Sequence, residues 1–446
     1  LVGGVHTHKS MTTRYTENVP HQRIAVIGSG ISGLLTAWLL AQRHQVVLFE
    51  KADYLGGHTH TVDVTLDGTV HPVDTGFLVF NDRTYPGLVS LFQHLDVPVA
   101  DSDMSFSVRI ESEDLEWAGS SVASLFADPR NLGRRDFWRM LKDVIRFNKE
   151  VSGMIRAGTT ISDTVGGFLE RHQYSPAFRD WYLLPMGGAI WSCPTKQMLD
   201  YPAQAFFRFF YNHGLLQISD RPQWKTVRGG AREYVNRLAR GIQEVRLNAA
   251  VTAVRRSAQS ATVVTEAGGS EEFHQVILAC HSDQALAILQ DSSQQERAVL
   301  GAIRYQPNLA VLHVDRNFLP RSRRAWSAWN YRADRGAKGE QPVSVTYLLN
   351  QLQPVPFRTP LMVTLNPPAM PADATLIDSF AYDHPVFDAG AVAAQALLPS
   401  IQAVNRTWFC GAWAGNGFHE DGVNSALAVA QSFGVAAPWS QSVVVA

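Results

Sequence analysis

The sequence predicts an α/β chain in which a Rossmann-type nucleotide fold is interlocked with a second part made of mixed sheet and helices. Three observations predict it. An apolar run at Ile24–Ile27 leads into Gly28-Ser29-Gly30-Ile31-Ser32-Gly33, a full G-x-G-x-x-G, and an apolar helical stretch from Leu34 to about Gln42 follows. A helical pattern fills Ser121 to about Tyr211, and short strand patterns recur from Ala310 to Leu365. At 446 residues the chain is too long for one small core.

The first unit has a physical reason at each position. Gly28 permits the tight turn, Gly30 lets backbone approach a pyrophosphate, and Gly33 lets helix and strand pack closely. The helix N-terminus at Ser29, Ile31 and Ser32 offers free N–H groups and partial positive charge. A second strand, Val46 to Phe49, ends at Glu50-Lys51, where an acid would bind ribose hydroxyls. Gly56-Gly57-His58 follow. An acid with Gly-Gly six residues later resembles the signature of the flavin amine oxidase and phytoene desaturase superfamily. That resemblance implies FAD and a two-domain FAD-binding Rossmann-type fold, glutathione-reductase-like, with a discontinuous mixed-sheet plus helical substrate domain. It also implies that Gly56 and Gly57 meet the pyrophosphate, with His58 standing where relatives usually carry an arginine.

Further along, Thr59 to Thr65 and Val70 to Val73 read as strands around an Asp67-Gly68 turn. Asp74-Thr75-Gly76-Phe77 then resembles the superfamily's Asp-x-Gly segment, which implies that Thr75, Gly76 and Phe77 pass beside the isoalloxazine. Phe106–Ile110 and Leu115–Trp117 read as a hairpin. In Asn131–Glu150 the helical period puts Phe137, Leu141, Val144 and Ile145 on one face with Trp138 at its edge, and six basic residues stand against three acids. Such a helix suits an anionic membrane surface, and equally a cap helix with a solvated basic side. Phe206, Phe209 and Phe210 fall at i, i+3, i+4 within an aromatic-rich stretch. Core packing and an apolar tunnel need the same residue types, and Trp191, Phe206, Phe210, Asn212 and Trp413 are the candidate substrate contacts.

Trp224 to Gly230 resembles the superfamily's Val-x-Gly-Gly return to the nucleotide fold and leads into a helix with Tyr234, Val235 and Leu238. Val245 to Val251 reads as one strand, and by resemblance the backbone at Val251 meets the adenine. Val276–Ala279 reads as another parallel strand, and Ala310–Val314, Ser344–Leu349 and Leu361–Leu365 as a mixed sheet. Arg321 to Arg324 reads as a solvated basic loop. Residues 23–80, 225–285 and 405–436 are therefore assigned to FAD binding, 81–224 to a helical cap and 286–404 to the mixed-sheet substrate part. Residues 1–22 are set aside as a tag remnant and extension. The closing segment, Thr407 to Trp413 and then Gly417 to Leu427, resembles the superfamily's last motif. It implies Gly411, Glu420, Asp421, Gly422 and Val423 at the flavin, with N–H donors around Asp421 to Val423 aimed at the N1–C2 edge.

One G-x-G-x-x-G and no second one argues against reduction by a nicotinamide. The flavin is expected to accept hydride from substrate and pass electrons to dioxygen or another acceptor. In amine oxidases a lysine commonly holds a water near N5; the strand Asn308 to His313 contains none. Beyond single motifs, residues 23 to 439 resemble a subgroup of FAD-binding proteins through Asp103 to Ser107, Leu184 to Gly187, Tyr211 to Gly214 and Gly417 to Gly422. Members accompany cyclopropane-synthase-like methyltransferases, which implies a functional partnership with a fatty acyl methyltransferase. The implied reaction is desaturation of a methylated monounsaturated fatty acyl group of a membrane phospholipid, on the way to furan fatty acids. Hydride loss from an allylic C–H leaves a stabilised cation, and a base must then take a proton. His213, Tyr211 and His419 are the candidates. A small-amine oxidase is the alternative, and a flavin-binding partner without turnover a third reading.

Composition bounds the rest. Hydrophobic residues make up 46% and charged residues 18%, as in an ordinary globular protein. A net charge of −1 argues against nucleic acid as partner. Cys193, Cys280 and Cys410 are scattered without metal or disulfide spacing, so no metal is expected. A cytoplasmic protein, peripheral on the inner face of the plasma membrane, is the expectation.

Overall fold

The computed structural model describes residues 21–191, 195–217, 221–333 and 343–443; most of the N-terminal extension and Cys193 lie outside them. Its first layer is a five-stranded parallel sheet in the order Glu244–Arg246, Gln45–Phe49, Arg23–Ile27, Gln275–Leu278, Thr407–Phe409. Ile24, Ala25 and Val26 are fully buried, as near-continuous apolar strands of a parallel sheet must be when both faces are covered. Parallel pairing brings the carboxyl ends of the strands to one edge. Gly28, Glu50, Ala279 to His281 and Cys410 to Trp413 therefore meet there, where open α/β sheets bind ligands.

The first helix, Ile31–Leu40, starts three residues earlier than the apolar pattern predicts, directly after Gly30. The last helix, His419–Ser432, packs across it so closely that a Cβ on Gly422 would lie 2.7 Å from Ile31. The predicted strand from Val245 to Val251 breaks in two. Asn248 takes a positive φ of 52°, a conformation asparagine tolerates, and Val251–Arg256 departs into a separate three-stranded antiparallel sheet. The Ala249 N–H donates to the Glu50 carbonyl at 2.8 Å, which keeps this bend beside the ribose acid.

The second layer is a seven-stranded sheet in the order Leu376–Val386, Arg304–His313, Met362–Leu365, Ser344–Leu348, Trp329–Ala333, Phe106–Ile110, Leu115–Ala118. Residues 81–224 and 286–404 both contribute strands to it. Phe80–Asn81 and Val99–Ser102 pair with Trp224–Val227, so the chain's entry to and exit from the helical segment are zipped together. Arg321 is not simply solvated: it pairs with Glu111 at 2.7 Å and Asp114 at 2.8 Å.

The long helix Arg135–Arg156 buries Phe137, Met140, Phe147 and Val151. The predicted face is rotated. Leu141 and Val144 are half-buried and Ile145 is 59% exposed, because Asp143 and Asn148 turn inward instead. Asp143 is satisfied there by the Ser175 N–H at 2.9 Å and the Arg146 guanidinium at 3.0 Å. Ile145 joins Trp138 and Leu132 among the exposed large apolar residues.

Candidate flavin site

The three glycines of the first turn divide their labour. Gly28 has a φ of 103°, and a Cβ there would sit 2.7 Å from the Ala279 carbonyl. On Gly33 a Cβ would come within 1.9 Å of the Gly28 carbonyl, so helix and strand could not pack. On Gly30 it would meet nothing within 4 Å. That empty approach, beside the start of a helix, is the cradle a pyrophosphate requires, and the residues present fit a dinucleotide.

Around it the chain is knitted by hydrogen bonds. Glu50 Oε2 accepts from the Ser29 N–H at 2.9 Å and the Ser29 hydroxyl at 2.5 Å, while Oε1 accepts from the Ala52 N–H at 2.9 Å. The Gly56 N–H donates to Ser29 Oγ at 3.1 Å, and a Cβ on Gly57 would touch Gly30 Cα at 3.4 Å. Ser29 is thus a brace between Glu50 and the Gly-Gly turn. Lys51 is exposed.

Asp74 anchors its segment rather than facing a ligand. Its carboxylate accepts from Thr61 at 2.5 Å and from the Ala231 N–H at 2.8 Å, where the Gly229-Gly230 turn opens Arg232–Ala239. Burial pushes its pKa up to about 7. The Thr75 hydroxyl bonds Tyr382 at 2.7 Å, so its side chain serves the seven-stranded sheet. Gly76 has no room for a Cβ, which would lie 2.1 Å from the His58 carbonyl, and Phe77 is presented beside His419.

The closing motif departs from expectation in its side chains. Glu420 accepts from the Gly87 and Leu88 N–H groups at 2.8 and 2.9 Å, capping the helix Pro86–His94 from outside. Asp421 accepts from the Phe418 N–H at 3.0 Å and closes its own helix start; burial pushes its pKa up to about 6. Val423 is fully buried core. The Gly422 N–H is already taken by the Phe418 carbonyl, so of Asp421 to Val423 only Asp421 belongs with the first-turn amides, which begin at His419. The capping partners were illegible because Gly87 and Leu88 are more than 300 positions away.

The aromatic stripe forms a continuous lane. Trp191 stands 5.1 Å from Phe206 and 4.7 Å from Phe209, and Phe209 stacks on Phe418 at 4.9 Å and on His213 at 3.8 Å. Phe418 immediately precedes the helix start at His419. A cleft lined by Trp191, Tyr201, Phe206, Phe387, Gly415 and Asn416 opens beside it. Phe210 is fully buried behind Phe206, at 4.6 Å. Asn212 is exposed at the helix end, away from this cleft's lining, and Tyr211 is half-buried. Trp413 stays outside the lane, its Nε1 donating to the Cys280 carbonyl at 3.1 Å.

His213 Nδ1 donates to the Phe209 carbonyl at 3.0 Å, which leaves Nε2 with the lone pair; burial lowers its pKa to about 4. His419 Nε2 is engaged by Thr59 at 2.9 Å and Tyr234 at 3.2 Å. Sequence reasoning missed Phe418, Thr59 and Tyr234; only their positions beside the motifs could have suggested them.

Residues 31–348 match the family model described as flavin containing amine oxidoreductase. The carotenoid phi-ring synthase of Streptomyces griseus is 33% identical over 145 residues, 30% of this chain and 26% of that protein. The match thus spans about a quarter of that relative's length. Among solved structures, the CLA-producing fatty acid isomerase from P. acnes aligns with a TM-score of 0.65 at 13% identity, over 92% of this chain and 98% of that one. Cyclohexylamine oxidase from Brevibacterium oxydans gives 0.63 at 16% identity, over 93% and 99%. These two likenesses establish a common fold.

Proposed function

The chain belongs to the flavin containing amine oxidoreductase family and is an FAD-dependent oxidoreductase, and from that premise we propose that it desaturates an apolar acyl chain. The substrate is a methylated monounsaturated fatty acyl group carried on a membrane phospholipid. One observation carries this reading: the aromatic lane from Trp191 and Phe206 through Phe209 ends at Phe418, directly before the start of the last helix. Flat apolar side chains contact a long hydrocarbon by excluding water, and the lane from Trp191 to Phe418 carries no carboxylate to pair with a charged amine.

Bound FAD supplies the hydride acceptor. The chain's own residues position the alkyl C–H, keep water out and take the proton. His213, fixed as the Nδ1–H tautomer and stacked on Phe209, keeps its Nε2 lone pair free to act as the base. Its weakened basicity still suffices, because an allylic cation is a very strong carbon acid. The strand Arg304–His313 supports the reading too. It holds no lysine, and its His313 is bonded to Thr364 at 2.7 Å within the sheet. The fatty acid isomerase and the carotenoid phi-ring synthase also carry apolar-substrate names. Exposed Leu132, Trp138 and Ile145 lie among the basic residues of the cap and form the face that would meet an anionic bilayer.

Stopped-flow mixing under anaerobic conditions tests this. Methylated phospholipid should bleach the flavin while putrescine and cyclohexylamine do not. Bleaching by an amine with none by lipid would reverse the assignment.

A further inference from the structure

Two buried imidazole nitrogens beside the Gly28–Gly33 turn have no hydrogen-bond partner, His58 Nε2 and His281 Nδ1. They reach the same place from different parts of the chain, His58 from the Gly-Gly turn and His281 from beyond the strand Gln275–Leu278. His58 follows Gly57, whose position lies against Gly30. His281 follows Ala279-Cys280; the Ala279 carbonyl packs on Gly28 and its side chain on Gly33. The two rings are 5.9 Å apart. Burying a polar atom unpaired is costly; other such atoms occur among the described residues, but this pair meets beside the glycine turn, where a ligand would satisfy both at once.

Both rings are held from behind. The Asp383 backbone bonds His58, and Tyr382 and His384 pack on it at 5.1 and 5.4 Å. His281 stacks on Tyr305 at 4.3 Å, 11° from parallel. With Asp383 taking the other ring nitrogen, His58 Nε2 is the one left for the crevice. His384 differs: its Nδ1 is bonded to Asn308 at 2.8 Å.

We propose that His58 and His281 together bind the FAD pyrophosphate, taking up proton as the dianion enters. Without ligand, burial holds both rings neutral, with pKa near 4. The groups facing them are Lys51 and Tyr305 at His281, and His384, Tyr382 and His419 at His58. Two carboxylates lie close by, Asp383 acting on His384 and Asp283 on Tyr305 and Cys280, yet burial still holds both rings neutral, so a bound anion must supply the further negative charge that would protonate the pair. FAD affinity should therefore rise as pH falls.

The test is titration of FAD into apoprotein, followed by flavin fluorescence between pH 8 and pH 6, and of ADP by calorimetry. Wild-type affinity should rise about fivefold or more over that range. His58→Gln and His281→Gln should each weaken both ligands about tenfold and flatten the pH dependence, with near-UV circular dichroism unchanged. His384→Gln, a neighbour with its own partner, should stay within about threefold of wild type. Unchanged affinity in the first two variants would overturn the proposal, as would equal loss in His384→Gln. So would loss for FAD with none for ADP, which would place the pair against another part of the cofactor.

Discussion

His419 lies flat against Phe77, ring centroids 3.6 Å apart and 18° from parallel. The contact joins the Asp-x-Gly segment to the last helix, and Thr59 and Tyr234 hold the imidazole edge. Burial lowers its pKa to about 3, so it stays neutral and bonded at working pH. It positions Phe77 and the helix start, and in the proposed reaction proton acceptance falls to His213. His419→Gln should slow formation of the desaturated chain by less than about tenfold, and His213→Gln by about a hundredfold. Single-turnover product analysis of the two variants checks this.

The glycines offer a cleaner separation of fold from cofactor. Gly30→Ala adds a methyl group to empty space, so apoprotein stability should hold while FAD affinity collapses. Gly33→Ala forces a methyl group against the Gly28 carbonyl and should cost about 1–3 kcal/mol of stability or more. Denaturant unfolding of the two apoproteins, beside an FAD titration, reads both effects.

Glu420 belongs to the fold. Since its carboxylate caps Pro86–His94, Glu420→Ala should lower stability by about 1–2 kcal/mol and leave FAD affinity within about threefold. Loss of FAD with stability intact would return Glu420 to the cofactor.

Apoprotein stability should peak near neutral pH. His213, His384 and His419 have lowered pKa values in the fold, so the unfolded chain takes protons first and stability falls as pH drops from about 6.5 toward 4. Asp74 and Asp421 are raised, to about 7 and about 6. Their contribution is fully present below the unfolded carboxylate pKa and is lost as pH rises through 6 to 7. Asp74→Asn should flatten the alkaline side of a plot of Tm against pH.

On the cap, Trp138→Ala combined with Ile145→Ser removes exposed apolar surface and leaves the buried Phe137–Val151 face intact. Binding to anionic vesicles should fall several-fold, with Tm unchanged and no effect on neutral vesicles. Equal binding by the double variant would remove the cap from any membrane role.

How far the sequence could be read follows from how local each signal is. Gly28, Gly30, Gly33 and Glu50 act within one strand–turn–helix unit, so spacing alone conveys their roles. The Glu420 partners are remote, and an acid at a helix start looks the same whether it faces a flavin or another helix. The cap helix misled because Asp143 and Asn148 occupy its buried face, Asp143 held by Ser175, a partner that no helical period reveals. Asn248 broke the predicted strand through one backbone angle. His58 and His281 come together only because two crossovers bring Gly57 and Ala279 to the same turn.

The measurement that bears most directly on the central claim is the mass of lipid recovered after one anaerobic turnover. Holoenzyme mixed with phospholipid bearing a methylated monounsaturated chain should return that chain two hydrogens lighter, in amount equal to the flavin reduced. Lipid of unchanged mass, with the same enzyme reduced by a small amine, would contradict the account.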